Sequence, residues 1–258
     1  MDIAIIGSGN VASVLGRKML TSGHRIVKVI ARNEQAGKKL AVSLDAPYSA
    51  DLTIPDQDAN LYLAAISDDA LRLLGQHLKV NKAVVVHTAG SVPMAVLKDV
   101  SHNYGVLYPL QTLRAEMDEV PEFPLLIDAN TPDTLTLLRD LAETFSSCVV
   151  VANDEYRRQI HMAAVISGNF TNHLFALVQD YCREKGLDFN LLLPQIRQIV
   201  SNLGTGHAGE RQTGPAIRND VETLNRHEAM LHSFPGIREV YEVLTTSIRK
   251  YHQIKDHS

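Results

Sequence analysis

The sequence has few of the residues that mark several common protein classes. It holds two cysteines, no tryptophan and 5% aromatic residues in 258 positions. Cys148 and Cys182 are far apart and lack the spacing of a metal or redox site, so nothing indicates a disulfide framework. Both lie in apolar segments, and we expect two buried, reduced thiols.

The sequence also lacks a large excess of either charge, because 25 Lys and Arg stand against 29 Asp and Glu and the formal net charge is −4. No basic excess indicates a nucleic-acid partner. No apolar run approaches the roughly 18–20 residues of a membrane span. Met1 leads directly into a strand-like run, which leaves no room for a signal peptide. These absences predict a cytoplasmic globular protein without a nucleic-acid or membrane partner.

A glycine-rich turn follows the first apolar run, Asp2 to Ile6, and opens a helical segment. The turn, Gly7-Ser8-Gly9-Asn10-Val11-Ala12, has the G-x-G-x-x-A pattern of dinucleotide-binding folds. Gly7 allows the tight turn, and Gly9 leaves the backbone open to a pyrophosphate. The free N–H groups and the positive end of the helix dipole favour phosphate at this point. The residues predicted to contact the cofactor here are Gly7, Ser8, Gly9, Asn10 and Val11.

The two halves of the chain have different patterns. Up to residue 153, strand-like and helix-like segments alternate, which predicts an α/β domain with a doubly wound, mostly parallel sheet covered on both faces. From residue 154 the spacing is helical only, so we expect a Rossmann domain at 1–153 and an all-helical domain at 154–258. The predicted strands are 2–6, 25–31, 61–66, 83–87, 105–108, 125–128 and 148–152. The predicted helices of the second half are 154–184, 191–203, 219–232 and 237–252.

The end of the second predicted strand indicates which nicotinamide cofactor binds. An NAD-selective fold usually has Asp or Glu at this position, whereas here Arg32 and Asn33 come before the first acid, Glu34. Arg32 would pair with a 2′-phosphate, and Asn33 could add a hydrogen bond. The alternative is that Arg32 is a solvated loop residue. The pattern favours NADP(H).

Two further loops follow predicted strands and should face the same crevice. One begins Ser67-Asp68-Asp69 and the other is His87-Thr88-Ala89-Gly90-Ser91. We expect Ser67, Asp68 and Ala89 to lie near the nicotinamide ribose. For Asp68 and Asp69, helix capping is an alternative that does not exclude a cofactor contact.

Candidate catalytic residues lie in the helical half. His161 is eight residues before Asn169 and eleven before Asn172, spacings that return near one face of an α-helix. Such a set could move a proton while a hydride moves, although a single helical histidine is more often a packed or surface residue. Arg218 could bind a substrate carboxylate or form a structural ion pair.

Three further points complete the sequence interpretation of this half. Asp220 could cap the helix that follows Arg218, and His227 is a second candidate histidine. No metal-ligand spacing joins the histidines, so no metal site is expected.

Five segments occur in the order of a known family. They are Gly7 to Ala12, His87 to Ser91, Tyr108-Pro109-Leu110-Gln111-Thr112, His161-Met162-Ala163-Ala164, and Thr213-Gly214-Pro215-Ala216-Ile217-Arg218-Asn219-Asp220. Together they resemble bacterial proteins that join a Rossmann-like NADP-binding domain to a helical domain of unknown function, the DUF2520 group. The resemblance implies a dimeric NADP-linked oxidoreductase. It also implies kinship with pyrroline-5-carboxylate reductase, ketopantoate reductase and proteins with a 6-phosphogluconate dehydrogenase-like helical domain.

Two departures from related families bear on mechanism. Relatives that oxidise β-hydroxy acids carry Lys and Asn four residues apart on the long helix, but Val165 precedes Asn169 here and no lysine lies between Asn153 and Gln179. Tyr108 stands where the family pattern has His, which weakens a catalytic role for this position. A lysine-based hydroxy-acid mechanism is therefore not expected.

Two functions remain open at this point, beside a structural alternative in which a dimer retains the fold without the cofactor. The first is an NADPH-dependent reductase of a small C=O or C=N compound bound between the domains. His161 would donate the proton, Asn169 would polarise the substrate and Arg218 would anchor an anionic group. The second is a non-catalytic NADP-binding regulator whose helical half recognises another protein.

Overall fold

The computed structural model describes residues 1–52, 59–117 and 119–253. Its central feature is a sheet of eight strands in the order β3-β2-β1-β4-β5-β6-β7-β8. All neighbouring strands run parallel except β6 and β7, which are antiparallel. The strands are β1 (Asp2–Ile6), β2 (Arg25–Ile30), β3 (Tyr48–Ser49), β4 (Leu61–Ala64), β5 (Val84–His87), β6 (Tyr104–Pro109), β7 (Leu125–Ala129) and β8 (Val149–Val151). The predicted doubly wound α/β sheet is confirmed.

Both faces of the sheet are buried, which explains why its central strands are continuous apolar runs. Ile3 and Ile5 contribute to one apolar cluster, and Ala4 and Ile6 to the cluster on the opposite face. The first cluster takes side chains from α1 (Asn10–Thr21), α2 (Glu34–Ser43) and α4 (Pro132–Glu143), and the second from α3 (Asp68–His77). The alternation of strand side chains between the two faces thus places helices on both sides.

The sheet and helices belong to the first of two compact units, Met1–Val165 and Ile166–Ser258. Helix α5 (Asp154–Ala164) closes the first unit. The second contains α6 (Thr171–Lys185), α7 (Leu193–Ser201), α8 (Val221–Met230) and α9 (Pro235–Tyr251). Short 3₁₀ segments occupy Met94–Leu97, Phe189–Leu192, Asn202–Thr205 and Ala208–Arg211.

The long helix expected at 154–184 is not one continuous α-helix. Residues Val165–Phe170 adopt π-helical geometry between α5 and α6. Strand β8 ends at Val151 and helix α5 begins at Asp154, whereas the division between compact units follows Val165. Helix α6 ends before Gly186, whose φ of +66° is the left-handed conformation expected of a glycine C-cap.

The prediction of two buried cysteines is correct for Cys182 and wrong for Cys148, which is exposed. Cys148 precedes β8, the edge strand of the sheet, where Val150 and Val151 are exposed as well. An apolar sequence at an edge strand is therefore not fully covered. Among the described residues, no helix is both long and apolar enough to cross a membrane.

Candidate cofactor and active site

A cavity of about 1030 Å³ opens beyond the carboxyl ends of β1, β2, β4 and β5. This is the crevice of a doubly wound sheet where chain order reverses and ligands bind. Its volume is at the upper end of the roughly 300–1,000 Å³ range of ligand sites. All ten residues predicted to contact the cofactor line this one cavity. They are Gly7, Ser8, Gly9, Asn10, Val11, Arg32, Asn33, Ser67, Asp68 and Ala89.

The two glycines of the first turn meet different surroundings. Gly7 has φ +121°, and a Cβ added there would lie 2.1 Å from the Ala65 carbonyl oxygen. A Cβ added at Gly9 would meet nothing within 4 Å. Gly7 is therefore required by the fold, whereas Gly9 keeps clear the space above the backbone.

The start of α1 fits an anionic group. Its N-cap, Gly9, provides no side-chain cap, and no acidic residue lies in the first turn. Unsatisfied N–H groups at a helix start, together with the helix dipole, form an anion site. Because these groups line the cavity, the residues present fit the pyrophosphate of a dinucleotide.

Arg32 and Asn33 follow β2 in the cavity wall. The Asn33 side-chain oxygen accepts the Ala36 N–H at 3.0 Å and caps α2. Its side-chain amide nitrogen is left to donate elsewhere. Arg32 is exposed and forms no ion pair within the described part of the chain. A guanidinium and an amide donor at this point match a phosphate rather than ribose hydroxyls alone.

The loops after β4 and β5 are joined by a side-chain hydrogen bond. The Ser91 hydroxyl donates to the Asp68 carboxylate at 2.6 Å. Ser67 is the N-cap residue of α3, so Asp68 and Asp69 lie in the first turn and the capping alternative for them is wrong. Carboxylates in a first turn are still favoured by the helix dipole.

Helix α5 contacts the loop after β5 through the ion pair of Asp154 with the buried Arg157. Asp154 accepts the Met94 N–H at 3.0 Å. Arg157 donates to Asp154 at 2.7 Å and to the Val92 carbonyl at 2.6 Å. The Arg157 side chain is 0% exposed, which is unusual for arginine and shows how firmly the contact is enclosed.

His161, one turn after Arg157 on α5, packs on the same loop. A Cβ added at Gly90 would lie 2.6 Å from Cγ and Nδ1 of the half-buried imidazole. The Tyr108 hydroxyl, at the end of β6, lies 2.9 Å from Nδ1, and the two rings meet edge to face. His161 thus lies beside Gly90, the residue that follows Ala89 in the cavity wall.

The sequence interpretation missed the contribution of Tyr108 to this cluster. Because Tyr108 stands where the family pattern has His, the sequence suggested a weak role for this residue. Its position near the carboxyl end of a strand in the sheet was a signal in its favour. Arg157 was also missed, because nothing in helical spacing indicates that an arginine will be wholly buried.

Burial determines the protonation of the groups around Arg157. Burial, with the Arg157 charge as the second cause, lowers the pKa of His87 to about 4. The His87 ring is therefore neutral at ordinary pH, and its Nδ1 accepts the Ala89 N–H at 3.2 Å. Burial raises the pKa of Tyr108 and of Asp128, and in both cases the Arg157 charge opposes the increase.

The other predicted catalytic residues, Asn169 and Arg218, belong to the second unit and are exposed. The spacing that related Asn169 to His161 assumed a continuous α-helix, and the π-helical residues Val165–Phe170 remove that basis. The roles of these two residues stay predictions.

Two local predictions for the second unit can be compared with contacts inside it. Asp220 caps α8 by accepting the Thr223 N–H, a hydrogen bond that lowers the pKa of its carboxyl. His227 Nδ1 lies 2.9 Å from the Tyr241 hydroxyl.

The fold and cavity define a two-unit protein whose first unit is a Rossmann-type dinucleotide-binding domain. Residues 2–85 match the family model described as "NADP oxidoreductase coenzyme F420-dependent", and residues 123–248 match the domain of unknown function DUF2520. A Bacteroides fragilis protein described as a "putative NADP oxidoreductase" is 36% identical, with a TM-score of 0.90 over 96% of this chain and 98% of that one. The chain therefore belongs to this NADP oxidoreductase family, and the predicted resemblance is confirmed together with NADP as the family's cofactor.

More distant solved structures share the fold. The reductive aminase of Aspergillus terreus is 16% identical with a TM-score of 0.73, covering 96% of this chain and 92% of that one. The pyrroline-5-carboxylate reductase of Streptococcus pyogenes is 14% identical with a TM-score of 0.61, covering 97% and 98%. No curated protein matches the sequence significantly.

Proposed function

We propose that this chain is an NADPH-dependent reductase of a small C=N or C=O compound, with His161 as the proton donor. The observation that carries the proposal is the packing of His161 on Gly90, directly after the cavity wall formed by Thr88 and Ala89. The same loop then forms part of the cavity wall and contacts the proposed proton donor. This is what a reduction by hydride and proton requires.

The cavity residues support one orientation of the cofactor. The start of α1 would hold the pyrophosphate, and Arg32 with Asn33 would hold the 2′-phosphate. The nicotinamide would then lie towards Ser67 and Ala89, at the opposite end from Arg32. When bound, NADPH supplies a hydride. This chain's own residues orient the cofactor and deliver the proton.

A C=N or C=O substrate is supported by two considerations. Reductive aminase and pyrroline-5-carboxylate reductase share this fold, and their names place imine chemistry on it. No lysine lies between Asn153 and Gln179, so the lysine-dependent oxidation of hydroxy acids lacks its base. In the same proposal, Asn169 polarises the substrate and Arg218 anchors an anionic group.

We also propose that two copies of this chain associate through their helical units. Among the described residues of the second unit, large apolar side chains are exposed on α7 and α9, including Val200 at 60% and Val243 at 63%. Exposed apolar side chains that form one contiguous patch mark an interaction site, and we infer such a patch here. Sedimentation of the wild type and of Val243→Asp tests this, with a dimer expected only for the wild type. Cytoplasmic location stays a prediction of the sequence.

The proposed reaction is tested with NADPH and a panel of compounds. The panel contains 1-pyrroline, cyclohexanone with allylamine, ethyl 5-oxohexanoate and several 2-keto acids. Loss of NADPH absorbance with at least one compound, abolished by His161→Ala, supports the reductase. Tight NADPH binding without turnover of any compound contradicts it and favours the non-catalytic regulator.

A further inference from the structure

Tyr108 offers a single hydrogen-bonding arrangement to His161. Tyr108 is 9% exposed, and within the described part of the chain its hydroxyl meets one partner, Nδ1 of His161 at 2.9 Å. If Nδ1–H donated to Tyr108, the phenol hydrogen would have no acceptor among the described residues, which is unfavourable for a residue with so little exposed surface. If Tyr108 donates, its hydrogen is satisfied and the ring proton of neutral His161 must be on Nε2.

The other nitrogen of His161 is available for a ligand. Nε2 forms no hydrogen bond within the described residues and is not among their buried polar atoms. Gly90 meets the ring at Cγ and Nδ1, the edge that also meets Tyr108. The ring is therefore held along one edge, and Nε2–H is left as its free donor.

Arg157 is the positive group of this cluster. Its guanidinium is enclosed and bonded to Asp154 and Val92 through one nitrogen, Nη2, while Nε and Nη1 find no partner among the described groups. Its charge acts on Tyr108, where it opposes the effect of burial on the pKa. A buried cation with incomplete partners favours negative charge nearby.

We propose that Tyr108 positions His161 for catalysis by donating to Nδ1, so that Nε2–H is the proton that His161 delivers. This deepens the proposed reductase and rests on it. As hydride from NADPH adds to the substrate carbon, the substrate nitrogen or oxygen takes the Nε2 proton. Nδ1 takes the Tyr108 hydroxyl proton at the same time, which leaves a tyrosinate beside Arg157. A solvent proton then adds to Nε2 as the Nδ1 proton returns to the tyrosinate, so the starting tautomer is restored. The net change is the addition of one hydride and one proton.

The tautomer is measured on the ligand-free full chain by NMR of isotope-labelled histidine nitrogens. The expected result is a neutral His161 with its proton on Nε2 and a hydrogen-bonded Nδ1. Tyr108→Phe should remove the signal shift that the hydrogen bond causes at Nδ1. Tyr104→Phe, the same change on the same strand, should leave it unaltered. A proton on Nδ1 in the wild type, or an Nδ1 signal unchanged in Tyr108→Phe, overturns the proposal.

The kinetic test uses whichever panel compound the wild type reduces. Tyr108→Phe should lower kcat by about tenfold or more while KM changes less than about twofold, because a positioned acid acts in the transition state. The solvent deuterium isotope effect on kcat should differ between the two proteins, which a loss of packing alone would not produce. Wild-type kcat in Tyr108→Phe overturns the proposal. If no compound is reduced, the proposed function fails, and the NMR result still decides the hydrogen bond.

Discussion

The imidazole of His161 lies directly on the backbone of Gly90. A Cβ at residue 90 would be 2.6 Å from two ring atoms, well inside van der Waals contact. Gly90 has no positive φ, so backbone conformation does not require a glycine there. The glycine is required because any side chain would collide with the His161 ring. The contact connects helix α5 to the loop that continues from the cavity wall.

Substitution Gly90→Ala should displace the His161 ring and lower catalysis. A shift of about 1 Å in a catalytic group reduces rates by as much as roughly 100-fold. We expect kcat for a reduced panel compound to fall at least about tenfold, with little change in NADPH affinity. Gly204→Ala, where a Cβ meets nothing within 4 Å, serves as the control. Unchanged kcat in Gly90→Ala would contradict the placement of His161.

Arg32 should determine the preference for NADPH over NADH. Loss of charge-assisted hydrogen bonds to a 2′-phosphate costs about 1.5–3 kcal/mol, or roughly 10–100-fold in affinity. Calorimetry should show this loss for NADPH in Arg32→Glu and little change for NADH. Arg72→Glu, on an exposed arginine of α3 outside the cavity lining, should affect neither cofactor. An unaltered preference in Arg32→Glu would refute the assignment.

The two glycines of the first turn should fail in different ways. Gly9→Ala fits the local backbone, since φ is −84°, but it places a methyl group in open space at the start of α1. We expect normal thermal stability with weakened NADPH binding. Gly7→Ala combines φ +121° with a close approach to Ala65, so the unfolding temperature should fall. Normal NADPH binding by Gly9→Ala would show that the pyrophosphate does not bind at the start of α1.

His87 should make folding stability depend on pH. Its folded pKa of about 4 is below the ordinary value of 6.5, because burial disfavours the charged ring. Above pH 6.5 the contribution is fully present, and it is lost as pH falls towards 4 because only the unfolded chain takes up the proton. The decrease is about 3 kcal/mol, since one pKa unit corresponds to about 1.4 kcal/mol.

Urea unfolding across this pH range measures the effect. His87→Asn retains an acceptor for the Ala89 N–H and should flatten the pH dependence relative to the wild type. The same change at the exposed His102 should not. Equal slopes in wild type and His87→Asn would show that the ring is not held neutral by burial.

The cavity residues could be predicted from the sequence because each follows a strand of a parallel sheet. Gly7, Arg32, Ser67 and Ala89 come directly or nearly directly after β1, β2, β4 and β5, and such ends meet at one edge. A local signal was also sufficient for the cap at Asp220. These features depend on short stretches of chain.

The cluster around His161 could not be predicted in the same way. Tyr108 and His161 meet across 53 residues of sequence, and Arg157 is buried by Val92 from 65 residues away. Periodicity also cannot reveal the π-helical residues Val165–Phe170, since their sequence continues the helical pattern. Contacts between distant segments depend on packing that no local pattern records.

Deuterium transfer tests the central claim most directly. The protein is incubated with each panel compound and NADPH that carries deuterium at the transferable position of the nicotinamide. The account predicts a reduced product with one deuterium on the former C=N or C=O carbon, and none of this product with His161→Ala. NADPH that binds the protein but transfers deuterium to no compound would contradict the assignment of this chain as a reductase.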